Sequence, residues 1–349
     1  MKTKEAQPIS RETQLRIDEY ERNYWRTTGK KILKDWRLFV MLIPLILVFL
    51  FWRYFPMYNL TNAFKFYDPN IATVNPLNLD YVGLYYFQNL MFGENAVKFW
   101  PAFRNTFLLS FYGLLFGFPV PVILALFFSE IKNNLVRSAV QVCTYLPKFV
   151  SLVVITSLTR LLLEHETQTG SVTSYGILGT LLNACHVITE QEKITGLLRL
   201  PEYFRSIYQI TGIWTDAGYG SIVYFAAIIG ISPTSYEAAR IDGATKMQQI
   251  KTVVLPGILS TIIIMLITRL GHLMTVGYEK VMLLQYNENM STSEIVATWV
   301  ISLGGMGESG SGGQESLGSA ADMINAVISM LLVTGANMIS RRVSSTSLY

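Results

Sequence analysis

Charged residues in this chain part around six apolar stretches, and the spacing of those stretches is the first thing the sequence says. A helix crosses a bilayer with about 20 apolar residues, roughly 17 to 25. Residues 38–52 are uncharged for 15 positions, a short run that Trp36, Tyr54 and Phe55 extend through the interface. Residues 105–129 are uncharged for 25. Between Arg137 and Arg160 only Lys148 interrupts. Residues 217–236 give 20 after a polar break at Asp216, residues 252–268 give 17 with an amphipathic continuation to Leu284, and residues 323–340 give 18. The pattern predicts an all-α, polytopic membrane protein with six transmembrane helices. A further apolar patch, residues 295–303, is too short to cross and reads as a re-entrant or surface helix. Residues 304–318, rich in Gly and Ser, read as a flexible outer loop.

Composition agrees with the pattern. Of the 349 residues 51% are hydrophobic and 15% charged, where a soluble domain carries about 25% charged residues. That argues against an ordinary cytosolic enzyme and excludes a disordered chain. A net charge of +4 gives no sign of a nucleic-acid binder. The charge matters more when divided by topology. With the N-terminus inside, 17 of the 28 Lys and Arg residues fall in inside segments and ten in outside segments or spans, with Lys148 undecided. The positive-inside rule therefore puts both termini in the cytoplasm. The first 37 residues are mostly polar and are no cleavable signal; residues 11–37 read as a charged helix that meets the bilayer surface. Cys143 and Cys185 fall near opposite faces, which argues against a disulfide, and two cysteines are too few for a metal site.

The most informative polar stretch is residues 232–256, SPTSYEAARIDGATKMQQIKTVVLP. Ser232 before Pro233 is a helix start, and a short helix over residues 234–241 follows. Asp242-Gly243 reads as a stop, because Gly takes the left-handed conformation a turn needs. A second helix over residues 245–254 ends before Pro256. Ala238, Ala239 and Ala244 keep the surface of this helix–turn–helix small enough to approach a groove. On the residues alone, a structured connector and a docking element account for it equally well.

The order Glu237-Ala238-Ala239, then Asp242-Gly243-Ala244, then Leu255-Pro256 resembles the EAA loop of ABC importer permeases. Asn105-Thr106, Tyr145-Leu146-Pro147, Gly212-Ile213-Trp214 and the terminal Ser345-Thr346-Ser347-Leu348-Tyr349 are similar, in the same order, to the polysaccharide-type branch of maltose-like sugar permeases. The chain departs from that pattern mildly, with Ile250 in place of a frequent aromatic and Ser260 in place of a frequent second proline. The resemblance implies a type I importer permease fold. It implies that residues 232–256 are the coupling loop that sits in a groove of an ATPase subunit. It also implies the partners: a second, homologous permease, two ATPase subunits that bind ATP and Mg, and an extracellular sugar-binding protein. The expected division is a cytoplasmic tail (1–37), a first transmembrane helix (38–60), an extracellular loop (61–102), the transporter core (103–340) and a cytoplasmic C-terminal tail (341–349), in the plasma membrane of a bacterium. The chain has no G-x-x-x-x-G-K-[ST] phosphate loop, no HExxH and no G-x-S-x-G, so the expectation is a transport subunit without its own ATPase site, cofactor or metal. A secondary transporter driven by an ion gradient is the alternative; that class often shows internal repeats, and no convincing repeat relates the first and last three spans.

For the solute path, ionisable groups inside spans come first, because burying them in a bilayer is costly. At about 1.5 Å per residue, Asp216 lies roughly 22 Å from the inner end of the fourth span and Arg269 roughly 18 Å beyond Gly257, so the two are expected at similar depth and able to pair. An ion pair that fixes helix packing and a substrate contact both account for them. Arg269, His272, Val276 and Glu279 follow helical spacing on the expected continuation of the fifth span. Trp214, Tyr219, Tyr224 and Tyr278 are the aromatic faces available for stacking on sugar rings, though packing or an interfacial belt explains any one of them as well. Gly113-x-x-x-Gly117 is a close-packing signature, and Pro119 and Pro121 are expected to kink the same helix.

Overall fold

The computed structural model describes residues 34–66, 80–163, 165–168, 171–175, 184–185, 196–304 and 314–343. The expected surface helix therefore lies almost wholly outside the described residues, as do the 345–349 motif and most of the Gly/Ser-rich loop. The chain divides into two compact units, Met1–Thr61 and Asn62–Tyr349.

In the first unit, α1 (Trp36–Phe49) is apolar on every side and buries no residue, the character of a helix made to face lipid. Pro44 lies inside it. A π-helical turn, Leu50–Tyr54, follows.

The second unit is a helical bundle. α2 (Tyr85–Phe92) leads to α3 (Ala96–Tyr112), which passes through a π turn at Gly113–Gly117 into α4 (Pro119–Glu130). Together these last three make one 35-residue crossing. α5 (Asn134–Tyr145) starts at Asn133, whose side-chain oxygen accepts from the Leu135 and Val136 N–H groups, the usual way an Asn satisfies free donors at a helix start. α5 runs through a 3-10 turn, Leu146–Phe149, and meets α6 (Leu152–Leu163) at a bend of 97°. A short antiparallel ribbon, β1 (His165–Gln168) with β2 (Ser171–Tyr175), is the only sheet among the described residues. α7 (Pro201–Ile229) is 29 residues long, about 44 Å at 1.5 Å per residue. α8 (Pro233–Ile241) turns away from it by 70°. α9 (Lys246–Gln249), a π turn at Ile250–Val254 and α10 (Leu255–Gly257) lead to α11 (Leu259–Gly271), across a bend of 62°. Then come α12 (Tyr278–Leu284), α13 (Met290–Ser293), α14 (Val296–Leu303) and the long α15 (Glu315–Val343). Among the described residues three helices are long and apolar enough to cross a membrane, and six crossings result when each bent pair counts as one.

Three expected boundaries change. Asp216 does not break the fourth span, because α7 continues through it and 15 residues further back to Pro201. The fifth span is not continuous to Leu284: it breaks at Ile258, and α11 stops at Gly271. The short apolar patch is indeed a non-crossing helix, α14, but it is interior, with Ile295, Val296 and Trp299 almost fully buried. The loop expected to run to Gly318 is already helical from Glu315.

Three buried clusters hold the second unit together. One joins α2, α3, α14 and α15 through Leu90, Phe99, Trp299 and Leu317. A second joins α3, α7 and α12 through Leu109, Phe204 and Leu284. A third, of Ala125, Tyr224, Ile228, Val254 and Ile258, ties α4 and α7 to the α9–α11 segment. α7 is the central element and packs most extensively against α4. It also meets α5 closely: a side chain at Gly218 would collide with the Thr144 carbonyl. The Asn105-Thr106 pair has a structural use. Asn105 Nδ2 donates to the Ser291 and Glu294 carbonyls at 2.9 and 3.0 Å and its Oδ1 accepts from Arg205 at 3.0 Å. Thr106 Oγ1 accepts from the Val296 N–H at 3.0 Å. These contacts satisfy backbone left unpaired where α13 ends and α14 begins.

Candidate functional site

Along α7 the second cluster lies at Phe204 and the third at Tyr224 and Ile228. Between them α3, α4 and α7 do not close. A cavity of about 600 Å³ opens there, floored by Gly113, Gly117 and Pro121 on one side and by Tyr208, Gly212, Ala217 and their neighbours on the other. The 97° bend delivers Pro147 and Lys148 to it, and the unwound chain after α11 delivers His272, Thr275 and Gly277. Gly113 and Gly117 pack within the bundle, since side chains there would touch Gln209 and Ile213 of α7.

The cavity wall is mixed, and its polar part is largely ionisable. Lys148 Nζ donates to Asp216 Oδ1 at 2.8 Å, with both side chains about half exposed. Lys280 Nζ donates to the Tyr208 carbonyl at 2.7 Å and lies 4.3 Å from the Tyr208 ring centre. Gln209 Nε2 donates to the Leu109 carbonyl at 2.6 Å. Arg269 and His272 complete the ionisable lining.

The expected pairing is corrected here. Asp216 and Arg269 do share one cavity, but the partner of Asp216 is Lys148, which the sharp bend of the third span swings towards α7. The expected stripe is corrected too. Arg269, His272 and Val276 all reach the cavity, but not as one helical face, because His272 already caps α11. Glu279 and Tyr278, at the start of α12, are exposed and outside the lining. Trp214 and Tyr219 are about half exposed on other faces of α7, with Tyr219 edge-on to Phe149 at 6.0 Å. Tyr224, 2% exposed, belongs to the third cluster. Lys280, Tyr208 and Gln209 were not singled out from the sequence. The rule that picked Asp216 applies equally to Lys280, which follows Glu279 and opens the apolar run Val281 to Leu284.

The second feature is the segment between α7 and α11. Ser232 precedes Pro233 as expected, although its hydroxyl pairs with Thr234 at 2.7 Å and caps no backbone. After α8 the Gly243 N–H donates to the Arg240 carbonyl and the Ala244 N–H to the Ala239 carbonyl, at 3.0 and 2.9 Å. With Gly243 at φ +75°, this is a Schellman ending, which needs a left-handed residue at that position. The spacing of Ala239, Asp242, Gly243 and Ala244 is therefore the spacing of one turn. Thr245 opens α9 with a capping box: its hydroxyl accepts from the Gln248 N–H while Gln248 Oε1 accepts from the Thr245 N–H. Gln249 is buried and bonds back to the Ala244 carbonyl at 2.9 Å. Lys246 reaches Glu130 at the end of α4, 2.8 Å away. Leu255 is half-buried and Pro256 exposed. The outward side is small and partly apolar: Glu237, Ala238, Asp242 and Gly243 are exposed, with Ile241 86% and Met247 62% exposed.

A bundle of apolar and bent crossings around an ionisable cavity, with an exposed, rigidly capped helix–turn–helix between two of them, is the build of a membrane transport subunit. The comparisons make this particular. The profile described as binding-protein-dependent transport system inner membrane component matches residues 117–287. The chain is 33% identical over 319 residues to the polygalacturonan/rhamnogalacturonan transport system permease protein YteP of Bacillus subtilis (strain 168), covering 91% of this chain and 92% of that one. It is 30% identical to Protein LplB of the same organism, over 90% and 92%. Its fold is similar to that in the crystal structure of a bacterial ABC transporter involved in the import of the acidic polysaccharide alginate, with TM-score 0.77 and 36% identity, covering 91% of this chain and 99% of that chain. The same values hold for the alginate transporter in complex with an alginate pentasaccharide-bound periplasmic protein. The chain belongs to the family of inner-membrane components of binding-protein-dependent transport systems.

Proposed function

We propose that this chain is one of two permease subunits of an ATP-driven importer, and that it carries oligosaccharides or polysaccharide fragments handed over by an extracellular binding protein. The observation that carries the reading is the exposed segment from Pro233 to Gln249. Its turn is fixed by the Schellman ending and the capping box, yet its outward side stays exposed among the described residues. In this reading Glu237, Ala238, Ala239, Asp242, Gly243 and Ala244 form the surface that docks on an ATPase, and Leu255-Pro256 joins that surface to the fifth span. ATP and Mg bind the two ATPase subunits; this chain supplies the path and the mechanical link. The membrane is the bacterial plasma membrane, with residues 1–37 and 341–349 cytoplasmic and the core spanning 103–340. ATP binding draws the ATPases together, the docked segment moves, and α7 and α11, which it joins, re-orient the cavity between the two sides.

Purification of the full chain in mild detergent from its own cells tests this. An ATPase and a second permease should co-purify, and ATP hydrolysis in proteoliposomes should rise with sugar-loaded binding protein. A chain that purifies alone and transports solute in liposomes without ATP would refute the reading.

A further inference from the structure

Another cavity, of about 390 Å³, opens where the crossings end, between the last turns of α4 and α7, the first turn of α5 and the exposed segment at α8 and α9. Two kinds of side chain line it. Phe225, Ile228 and Ile229 of α7 are apolar; Arg137, Arg240 and Lys246 stand against Glu130 and Glu237, which leaves one positive charge over. Lys246 and Glu130 neutralise each other at 2.8 Å. Arg137 donates one N–H to Asn134 Oδ1 at 2.7 Å. Its guanidinium lies over the Phe225 ring, 5.7 Å from the centre, a cation–π seat that holds it at the wall. The Arg240 side chain makes no hydrogen bond or ion pair among the described residues.

That arrangement suits an anion of a particular kind. Guanidinium forks match phosphate oxygens, and one surplus positive charge matches the single charge of a phosphodiester. A soluble phosphate would leave the Phe225–Ile229 wall without use, whereas a phospholipid carries acyl chains beside its phosphodiester. The level fits as well. Glu130 is the last residue of α4 and Ile229 the last of α7, and both helices belong to crossings, so the cavity lies where headgroups meet protein. Basic pockets between crossing helices are a known seat for anionic headgroups. Ile229 is 65% exposed, so the apolar wall continues onto the outer face of the bundle.

We propose that this cavity binds an anionic phospholipid, with Arg137 and Arg240 receiving the phosphodiester and Phe225 and Ile229 bordering an acyl chain. A zwitterionic headgroup binds less well, because it brings its own cation to a lining that already has one too many. A bound lipid fastens α8 and α9 to the ends of α4, α5 and α7. The site goes beyond the importer reading; only its leaflet, the cytoplasmic one, rests on that reading.

The test places the full chain in nanodiscs of phosphatidylcholine alone and of phosphatidylcholine mixed with phosphatidylglycerol. Native mass spectrometry then measures the lipid that stays with it on transfer to detergent. Wild type should retain phosphatidylglycerol in preference to phosphatidylcholine. R137Q and R240Q should each lower that preference severalfold to about tenfold, the low end for a hydrogen bond to a charged group because both side chains are partly exposed. R240K keeps the charge without the fork, guards against a folding defect and should fall between. K132Q removes an exposed charge of the α4–α5 connection that is outside the lining, and should change nothing. A preference lost equally in K132Q would mean diffuse attraction to a basic surface, and one untouched by R137Q and R240Q would put the lipid elsewhere; either result overturns the proposal. So does inorganic phosphate that displaces phosphatidylglycerol and raises the melting temperature of the wild-type chain in phosphatidylcholine alone, since the cavity would then belong to a soluble phosphate. None of these readouts needs an ATPase, so a chain that purifies without one removes the importer reading and leaves the lipid site standing.

Discussion

If the loop docks as proposed, Gly243 separates what it needs in order to fold from what it needs in order to dock. Its φ is +75°, and no atom lies within 4 Å of where a Cβ would stand. A substitution there costs backbone energy and meets no clash inside the chain. For an ordinary L-residue the left-handed conformation costs about 1–2 kcal/mol, a factor of roughly 5 to 30 in the population of the native turn. Asn tolerates that region better. Three variants therefore divide the contributions. G243N should keep near-normal coupled uptake. G243A should lose severalfold through fraying of the turn. G243W bears a similar backbone cost, so in the isolated chain its yield and thermal stability should match those of G243A. In the assembled importer it should do far worse, because the indole would stand where the proposed partner surface lies. The assay is sugar uptake per ATP hydrolysed in proteoliposomes, beside thermal melting of the purified chain. Equal uptake for G243W and G243A would mean that no partner covers the turn, and the docking assignment would fall. G243N as defective as G243A would show that the left-handed backbone is not what selects glycine here.

Two further expectations concern the frame that holds the cavity. N105A strands the Ser291 and Glu294 carbonyls and the Arg205 donor, and should cost about 2–4 kcal/mol, seen as a lower melting temperature and poor recovery from detergent; an unchanged melting curve would mean that those backbone groups find other partners. G218A places a Cβ against the Thr144 carbonyl and must part α5 from α7, at about 1–3 kcal/mol or more for an overpacked contact, which thermal melting of the full chain measures; no loss of stability would show that the two helices separate freely.

Much of this was legible in the residues, and the exceptions have physical causes. The loop was readable because its rules are local. A proline at the first helical position and a left-handed glycine each act within four residues. The cavity was harder, because α3, α7, the 97° bend and the break after α11, all distant in sequence, assemble it. Counting uncharged residues undervalued the first half of α7, which carries Glu202 and Arg205 yet buries Phe204 and Thr211. Inside a bundle the polar face of such a helix is met by protein, so low hydropathy does not keep it out of the membrane. Pairing Asp216 with Arg269 on depth alone failed for a related reason. Depth fixes one coordinate, and the 97° bend that carries Lys148 to the same place is invisible to a one-dimensional count.

The bend in the fifth span could have been found from proline. Three π turns occur among the described residues, at Leu50–Tyr54, Gly113–Gly117 and Ile250–Val254, and each ends two residues before a proline: Pro56, Pro119 and Pro256. A proline within a helix has no N–H for the carbonyl four residues back, and its ring crowds that carbonyl. Widening the preceding turn relieves the crowding, and the Leu255 N–H accordingly donates to Ile250, five residues back. Pro44 sits inside α1 without such a turn, so proline permits the widening and its surroundings decide it. At Pro256 the surroundings are Val254 and Ile258, both locked in the third cluster, and the helix bends by 62° at Ile258, two residues on. The Leu-Pro that closes the loop motif is thus where a rigid, exposed helix–turn–helix is joined at an angle to the helix bearing Arg269. On the proposed docking, a push on Ile241 or Met247 would reach the cavity through a bent arm.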